Sequence, residues 1–190
     1  MKPTLILLVG LPLLGSCSLS QGPAPMQPFH QGMQRSSLGV NQYESSTVSA
    51  PNTPDVNTDS LQLNFSHGYF VTDDIEVGGK LGYSDTDNGT TSLNAWTIDA
   101  YGRWYLDNRS RLRTWTQVFA GIGTSERAGT LPDDDTTQLG IGIGVSDMIS
   151  ESTSFDLGLD YRMFSKDRVG GNIDTDSIFL TAAFSVFYGG

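Results

Sequence analysis

Residues 60–71 read SLQLNFSHGYFV. Leu61, Leu63, Phe65, His67, Tyr69 and Val71 share one face of this stretch, and Gln62, Asn64, Ser66 and Gly68 share the other. Side chains alternate across a β-strand, so a two-residue period marks a strand with one apolar and one polar side. The period recurs downstream. Residues 75–84 set Ile75, Val77, Leu81 and Tyr83 against Glu76 and Lys80. Residues 93–106 set Trp96, Ile98, Ala100 and Trp104 against Asp99, Tyr101, Arg103 and Tyr105. Residues 112–124 set Leu112, Val118, Ala120 and Ile122 against Arg113, Gln117, Gly121 and Gly123, with Trp115 and Phe119 breaking the pattern on the polar side. Residues 137–147 set Leu139, Ile141, Ile143 and Val145 against Gly140, Gly142 and Gly144. Residues 155–164 set Phe155, Leu157, Leu159, Tyr161 and Met163 against Asp156, Asp160 and Arg162. Residues 177–188 set Ile178, Leu180, Ala182, Phe184, Val186 and Tyr188 against Ser177, Thr181, Ala183 and Ser185.

The connections alternate in length. Residues 72–74, 107–111 and 150–152 are short links; 85–92, 126–136 and 166–176 are long. Outer-membrane barrels have short periplasmic turns and long outer loops. On that rule the strand at 60–71 runs toward the periplasm, and an upward strand must precede it. The weakly alternating residues 37–49 supply one, and 50–59, with two prolines, become the first outer loop. The expectation is an all-β, eight-stranded, antiparallel up-and-down transmembrane barrel.

Alternation alone also fits a soluble carrier barrel with its apolar face inward. Charge favours the membrane form. The polar faces carry Glu76, Asp99, Asp156 and Asp160 against Lys80, Arg103, Arg113 and Arg162, four acids for four bases, although the whole chain has net charge −10. Charges enclosed in a lumen need partners to offset desolvation; charges on a solvated face do not. Aromatic placement agrees. Trp96 and Trp104 stand eight residues apart on the apolar face, roughly 20 Å along the membrane normal at a ~40° tilt, close to the ~25 Å band between aromatic girdles. Tyr69, Phe155 and Tyr188 join Trp104 in the periplasmic girdle, and Tyr83 and Tyr161 stand nearer the outer one with Trp96.

Composition bounds the rest. Hydrophobic residues are 37% of the 190, low for a soluble core but sufficient for one apolar face per strand. The acidic balance argues against nucleic acid, which needs clustered cations. Residues 1–17 (MKPTLILLVGLPLLGSC) have Lys2, an apolar run over 4–14 too short to span a bilayer, and small residues before the end, the pattern of a signal peptide. Leu14, Gly15, Ser16 and Cys17 also resemble a bacterial lipobox, which implies cleavage before Cys17 and its lipidation; Ser18 then implies sorting to the outer membrane. Residues 18–36, with Pro23, Pro25 and Pro28, read as a flexible linker, and 37–190 as the barrel domain.

The segments GYFVTDDIEVG (68–78), YGRWYL (101–106), FAGIG (119–123) and GIGIGVS (140–146) resemble the small outer-membrane β-barrel family that includes OmpA- and OmpX-type barrels. The resemblance covers about residues 60–188. It implies outer-membrane lipid and lipopolysaccharide as surroundings and the barrel-assembly machinery as a partner, since the last strand resembles the insertion signal that closes on an aromatic. Here that aromatic is Tyr188, followed by Gly189 and Gly190.

An eight-stranded barrel is narrow enough to be filled by its own side chains, so a plugged polar lumen is expected. Its charges read as a network that holds it shut, with a proton or ion path as the alternative. His67 lies on the apolar face while Ser66 and Glu76 point the other way, so no catalytic triad is supported. Acidic stretches at 85–89, 133–135 and 174–176 lack EF-hand spacing. No catalytic residues, metal site or cofactor are expected. The expected function is a non-enzymatic structural or surface-interaction role through acidic outer loops, with an unknown extracellular ligand. An adhesin or host-interaction barrel, a lipid-modifying enzyme and a periplasmic carrier remain as rivals.

Overall fold

A sheet in lipid must satisfy every backbone N–H and C=O internally, and only closure removes both of its edges. The computed structural model describes residues 27–46, 57–87, 92–127, 134–167 and 173–189. They form β1 (Gln34–Ser46), β2 (Asn57–Phe70), β3 (Ile75–Asp87), β4 (Ser92–Tyr105), β5 (Leu112–Arg127), β6 (Asp134–Ser150), β7 (Thr153–Asp167) and β8 (Ile173–Tyr188). Each strand pairs antiparallel with the next, and β1 pairs with β8 to close the barrel. The register places Ser36 opposite His67 across β1–β2, and Lys80 opposite Asp99 across β3–β4. Strands run 13 to 17 residues, longer than the ~9–11 that cross a hydrocarbon core. The sheet therefore extends past the membrane.

The pleat sorts the side chains. Leu38, Ile122, Ile143 and Ile178 on the outer face are all more than 60% exposed, whereas Arg35, Glu76, Asp160 and Arg162 inside are at most 1% exposed. The aliphatic residues do not pack together in the middle. That arrangement rules out the carrier alternative, whose apolar side faces inward.

The inner wall also explains the break in β5. Trp115 and Phe119 point inward, each 2% exposed. Gly140, Gly144 and Gly158 lie against them: a Cβ at Gly158 would sit 2.6 Å from the Trp115 ring, and one at Gly140 or Gly144 would collide with Phe119 or Trp115. The glycines of β6 and β7 leave room for two large rings in a narrow lumen.

The expected division between linker and barrel shifts. Pairing begins at Gln34, three residues before the expected start at Ser37, and residues 27–33 pack over the short-turn end. Gly32, with φ 96°, turns this segment and donates its N–H to the Phe70 carbonyl at 3.0 Å. Phe29 is buried beneath it. One aromatic residue in a proline-rich stretch has no periodicity, so alternation could not locate it. The expected leader, its lipidation residue Cys17 and residues 18–26 lie outside the described residues, as do 47–56, 88–91, 128–133 and 168–172 within the outer connections.

Candidate functional site

Inside the barrel the charges form two clusters. In the first, Arg35 Nε donates to Glu76 at 3.0 Å and Arg35 Nη1 to Asp156 at 3.1 Å. The Tyr101 hydroxyl also donates to Glu76, and Tyr105 donates to its other oxygen at 3.2 Å. Asp156 accepts from Ser154 and Ser185, each at 2.7 Å, and Arg103 Nη1 lies 3.7 Å away. Nearer the outer end, Arg162 donates to Asp160 at 3.1 Å and Gln117 to its other oxygen at 2.8 Å. Lys80 Nζ stands between Asp99 and Asp160 at 3.8 and 3.9 Å, and Gln138 donates to Asp99. Anionic and cationic groups at this depth are tolerable only because each meets several partners.

Rings complete the packing. The Arg103 guanidinium lies 4.0 Å from the Trp115 centroid, Lys80 Nζ 4.3 Å from Phe119, and Arg162 4.2 Å from Phe179. These are cation–π distances, and desolvation strengthens such contacts. A cavity of about 50 Å³ remains, bordered by Arg35, Lys80, Trp115 and Asp156 among others.

Arg113 is a correction to the expected network. It makes no ion pair with the lumen carboxylates. Its guanidinium lies 3.9 Å from the Phe29 centroid and donates to the Gln27 carbonyl at 2.6 Å. Arg113 stands near the start of β5 in register with Ser146 and, through it, with Asp156, but its guanidinium turns to the segment crossing the mouth. Arg35 takes its place in the lumen. It was hidden in the expected linker because the alternation of β1 is weak. With that exchange the ion-paired lumen groups are Arg35, Lys80, Arg103 and Arg162 against Glu76, Asp99, Asp156 and Asp160.

The short-turn mouth is aromatic. Phe29 stacks on Phe187 at 4.6 Å, meets Phe70 at 4.7 Å and meets Tyr105 edge-on at 4.8 Å. Trp115 and Met148 complete the cluster. Asn108 Nδ2 donates to the carbonyls of Phe29 at 3.1 Å and Asp73 at 2.7 Å, and Asp73 accepts from the Gln31 N–H at 2.9 Å. The segment is thus held by backbone hydrogen bonds as well as by its ring.

On the outer face Tyr69, Trp104, Phe155 and Tyr188 are exposed toward the short-turn end. Trp96 and Tyr161 are exposed toward the other end, where Tyr83 packs on Trp96 at 4.5 Å. Ser66 and Glu76 are buried inside, away from exposed His67. Instead, His67 meets Ser36 and Tyr188 on the outer face, a neighbourhood set by strand register and unreadable from sequence spacing. Asp85, Asp135 and Asp176 are exposed near the outer strand ends.

Known proteins share this architecture. The crystal structure of Neisserial surface protein A superposes with a TM-score of 0.65 at 16% identity, covering 82% of this chain and 97% of that one. The outer membrane protein OprG from Pseudomonas aeruginosa gives 0.59 at 13% identity, covering 87% and 100%. Ail, the attachment invasion locus protein of Yersinia pestis, gives 0.51 at 14% identity, covering 82% and 99%. At such identities the likeness is one of fold. No curated protein matches the chain. The family described as the outer membrane protein beta-barrel domain matches residues 9–185. With aliphatic side chains facing outward, charges paired inside and that match along nearly the whole sequence, the chain belongs to the outer membrane protein β-barrel family and resides in the outer membrane.

Proposed function

We infer that the protein is a non-enzymatic barrel with a plugged lumen, whose role is structural and whose contacts are made at its surface. The observation that carries this reading is the filling of the interior. The cavity of about 50 Å³ has room for a few waters, each needing about 10–15 Å³ on the same measure, and falls well short of the ~300 Å³ or more of a ligand pocket. The Phe29 segment then covers the periplasmic mouth. Catalysis inside would need space for a substrate, and transport would need a continuous path; the packed ion pairs and rings oppose both.

The work falls to the outer rim. Its acidic strand ends and loops, in a chain of net charge −10, suit a cationic partner and repel a polyanion. One solved barrel of this fold, Ail, was captured with the heparin analogue sucrose octasulfate. An acidic rim is the wrong sign for such a ligand, so an adhesin role here requires a different, cationic partner. Lipid and lipopolysaccharide surround the wall, and β8, ending on aromatic Tyr188, is the segment offered to the assembly machinery.

Planar-bilayer recording of the refolded protein tests the reading. We expect no stepwise conductance from the native chain. Discrete openings of the native protein, or altered lipid A or phospholipid profiles in an overexpressing strain, overturn it.

A further inference from the structure

Each strand is joined to the next by a turn or loop, but β1 and β8, which close the barrel, have no such link between them. A short link keeps two strands close when their ladder frays, because the loop it closes is small. The β1–β8 seam lacks that restraint and is tied only through the rest of the sheet.

The segment before β1 spans this gap. Met33 and Gly32 continue the β1–β2 ladder: the Phe70 N–H donates to the Met33 carbonyl at 2.8 Å, and the Gly32 N–H to the Phe70 carbonyl at 3.0 Å. At Gly32, whose φ of 96° would strain any other residue, the chain leaves the ladder and crosses the mouth. Phe29 then stacks on Phe187 near the end of β8, at 4.6 Å. Asn108, in the turn between β4 and β5, holds the Phe29 backbone on both sides. Its Oδ1 accepts the Phe29 N–H at 2.5 Å, and its Nδ2 donates to the Phe29 carbonyl at 3.1 Å. Arg113 of β5 holds the Gln27 carbonyl. In the ring of eight, β5 stands four strands from β1 in either direction, so the crossing runs across the barrel.

The pocket for Phe29 exists only in the closed sheet. Its walls are Phe70 of β2, Tyr105 of β4, Trp115 of β5, Met148 of β6 and Phe187 of β8. Residues 27–31 find their other partners at Asp73, Asn108 and Arg113, all far from β1 in sequence. We propose that residues 27–33 form a latch, which docks after β1 has met β8 and then holds the periplasmic end of that seam against reopening. Contacts made after the folding barrier slow unfolding and leave the folding rate alone, so the latch lengthens the lifetime of the closed barrel.

The test follows the full chain refolding into detergent micelles, with pulsed hydrogen exchange and heat-modifiable gel mobility. The Phe29 and Gln31 amides, bonded to Asn108 and Asp73, should gain protection later than the amides that bridge β1 and β8. Phe29→Ala should speed unfolding by roughly tenfold or more and leave the folding rate within about twofold. Gly32→Ala, which strains the bend and removes no contact, should act in the same direction. Simultaneous or earlier protection of Phe29 and Gln31 overturns the proposal. So does an unchanged unfolding rate in Phe29→Ala, or a Phe29→Ala chain that closes several-fold more slowly or not at all. A second arm tests the seam itself. Ser36 and Val186 are register partners on β1 and β8, and a disulfide from Ser36→Cys with Val186→Cys, in a Cys17→Ser chain, fastens the two strands. In that chain Phe29→Ala should speed unfolding by less than about twofold; an effect of full size shows that the segment does not act on the seam and overturns the proposal.

Discussion

Arg35 donates to Glu76 and Asp156 at once and so links β1, β3 and β7 through one guanidinium. Removing a single partner from a buried ion pair is far worse than never having built the pair, because the remaining charge keeps its desolvation cost. Arg35→Ala should therefore destabilise the barrel by about 3–5 kcal/mol. Urea unfolding in detergent micelles, followed by tryptophan fluorescence, measures this; Arg35→Lys should recover only part of the loss, since an ammonium cannot reproduce the fork. Glycines give a sharper contrast. At Gly144 a Cβ would collide with the Leu157 carbonyl and the Trp115 ring, whereas at Gly102 it would meet nothing within 4 Å. Gly144→Ala should cost roughly 1–3 kcal/mol by overpacking, and Gly102→Ala should leave the same unfolding midpoint within error.

The short turn between β4 and β5 closes on Asp107. Its carboxylate accepts the backbone N–H of Arg109 at 3.0 Å and of Ser110 at 3.4 Å, and the Arg109 hydrogen bond leads in holding its pKa below the ordinary carboxylate value. A depressed carboxyl pKa stabilises the turn fully above the ordinary range and loses that effect as pH falls through the lowered value. Amide exchange at Arg109 should accordingly speed up, relative to neighbouring turn residues, at acid pH; in Asp107→Ala it should be fast throughout and no longer show that pH step. Strand faces were legible because a two-residue period needs no tertiary information. Strand ends were not. β8 starts at Ile173 and β6 at Asp134, earlier than the alternation suggests, because pairing continues beyond the membrane, where the outer face no longer needs to be apolar.

For the molecule as a whole, the segment before β1 lays the Phe29 ring against Phe70, Tyr105 and Phe187 at the short-turn mouth. Phe29→Ala removes a buried ring, a change that costs about 3–5 kcal/mol in a packed core, and leaves Arg113 without its stacking partner. We expect a lower unfolding midpoint and, because the ion pairs that fill the lumen do not involve Phe29, still no stepwise conductance in planar bilayers. If Cys17 is acylated, Phe29 also lies twelve residues from the anchor; palmitate labelling should be lost in Cys17→Ala while barrel folding is retained. The periodicity of residues 60–71 and its successors determined the strand class, the two faces and the membrane as solvent, because these depend only on local alternation and on charge balance within strands. The family resemblance pointed the same way. Which residues meet was decided by closure. Arg35 reaches Glu76 and Asp156, Phe29 covers the mouth, Arg113 stays outside the ion pairs, and Ser36 finds His67. Each of these contacts spans at least 31 positions of chain, and strand register, which sets them, is a property of the closed sheet that no single strand contains.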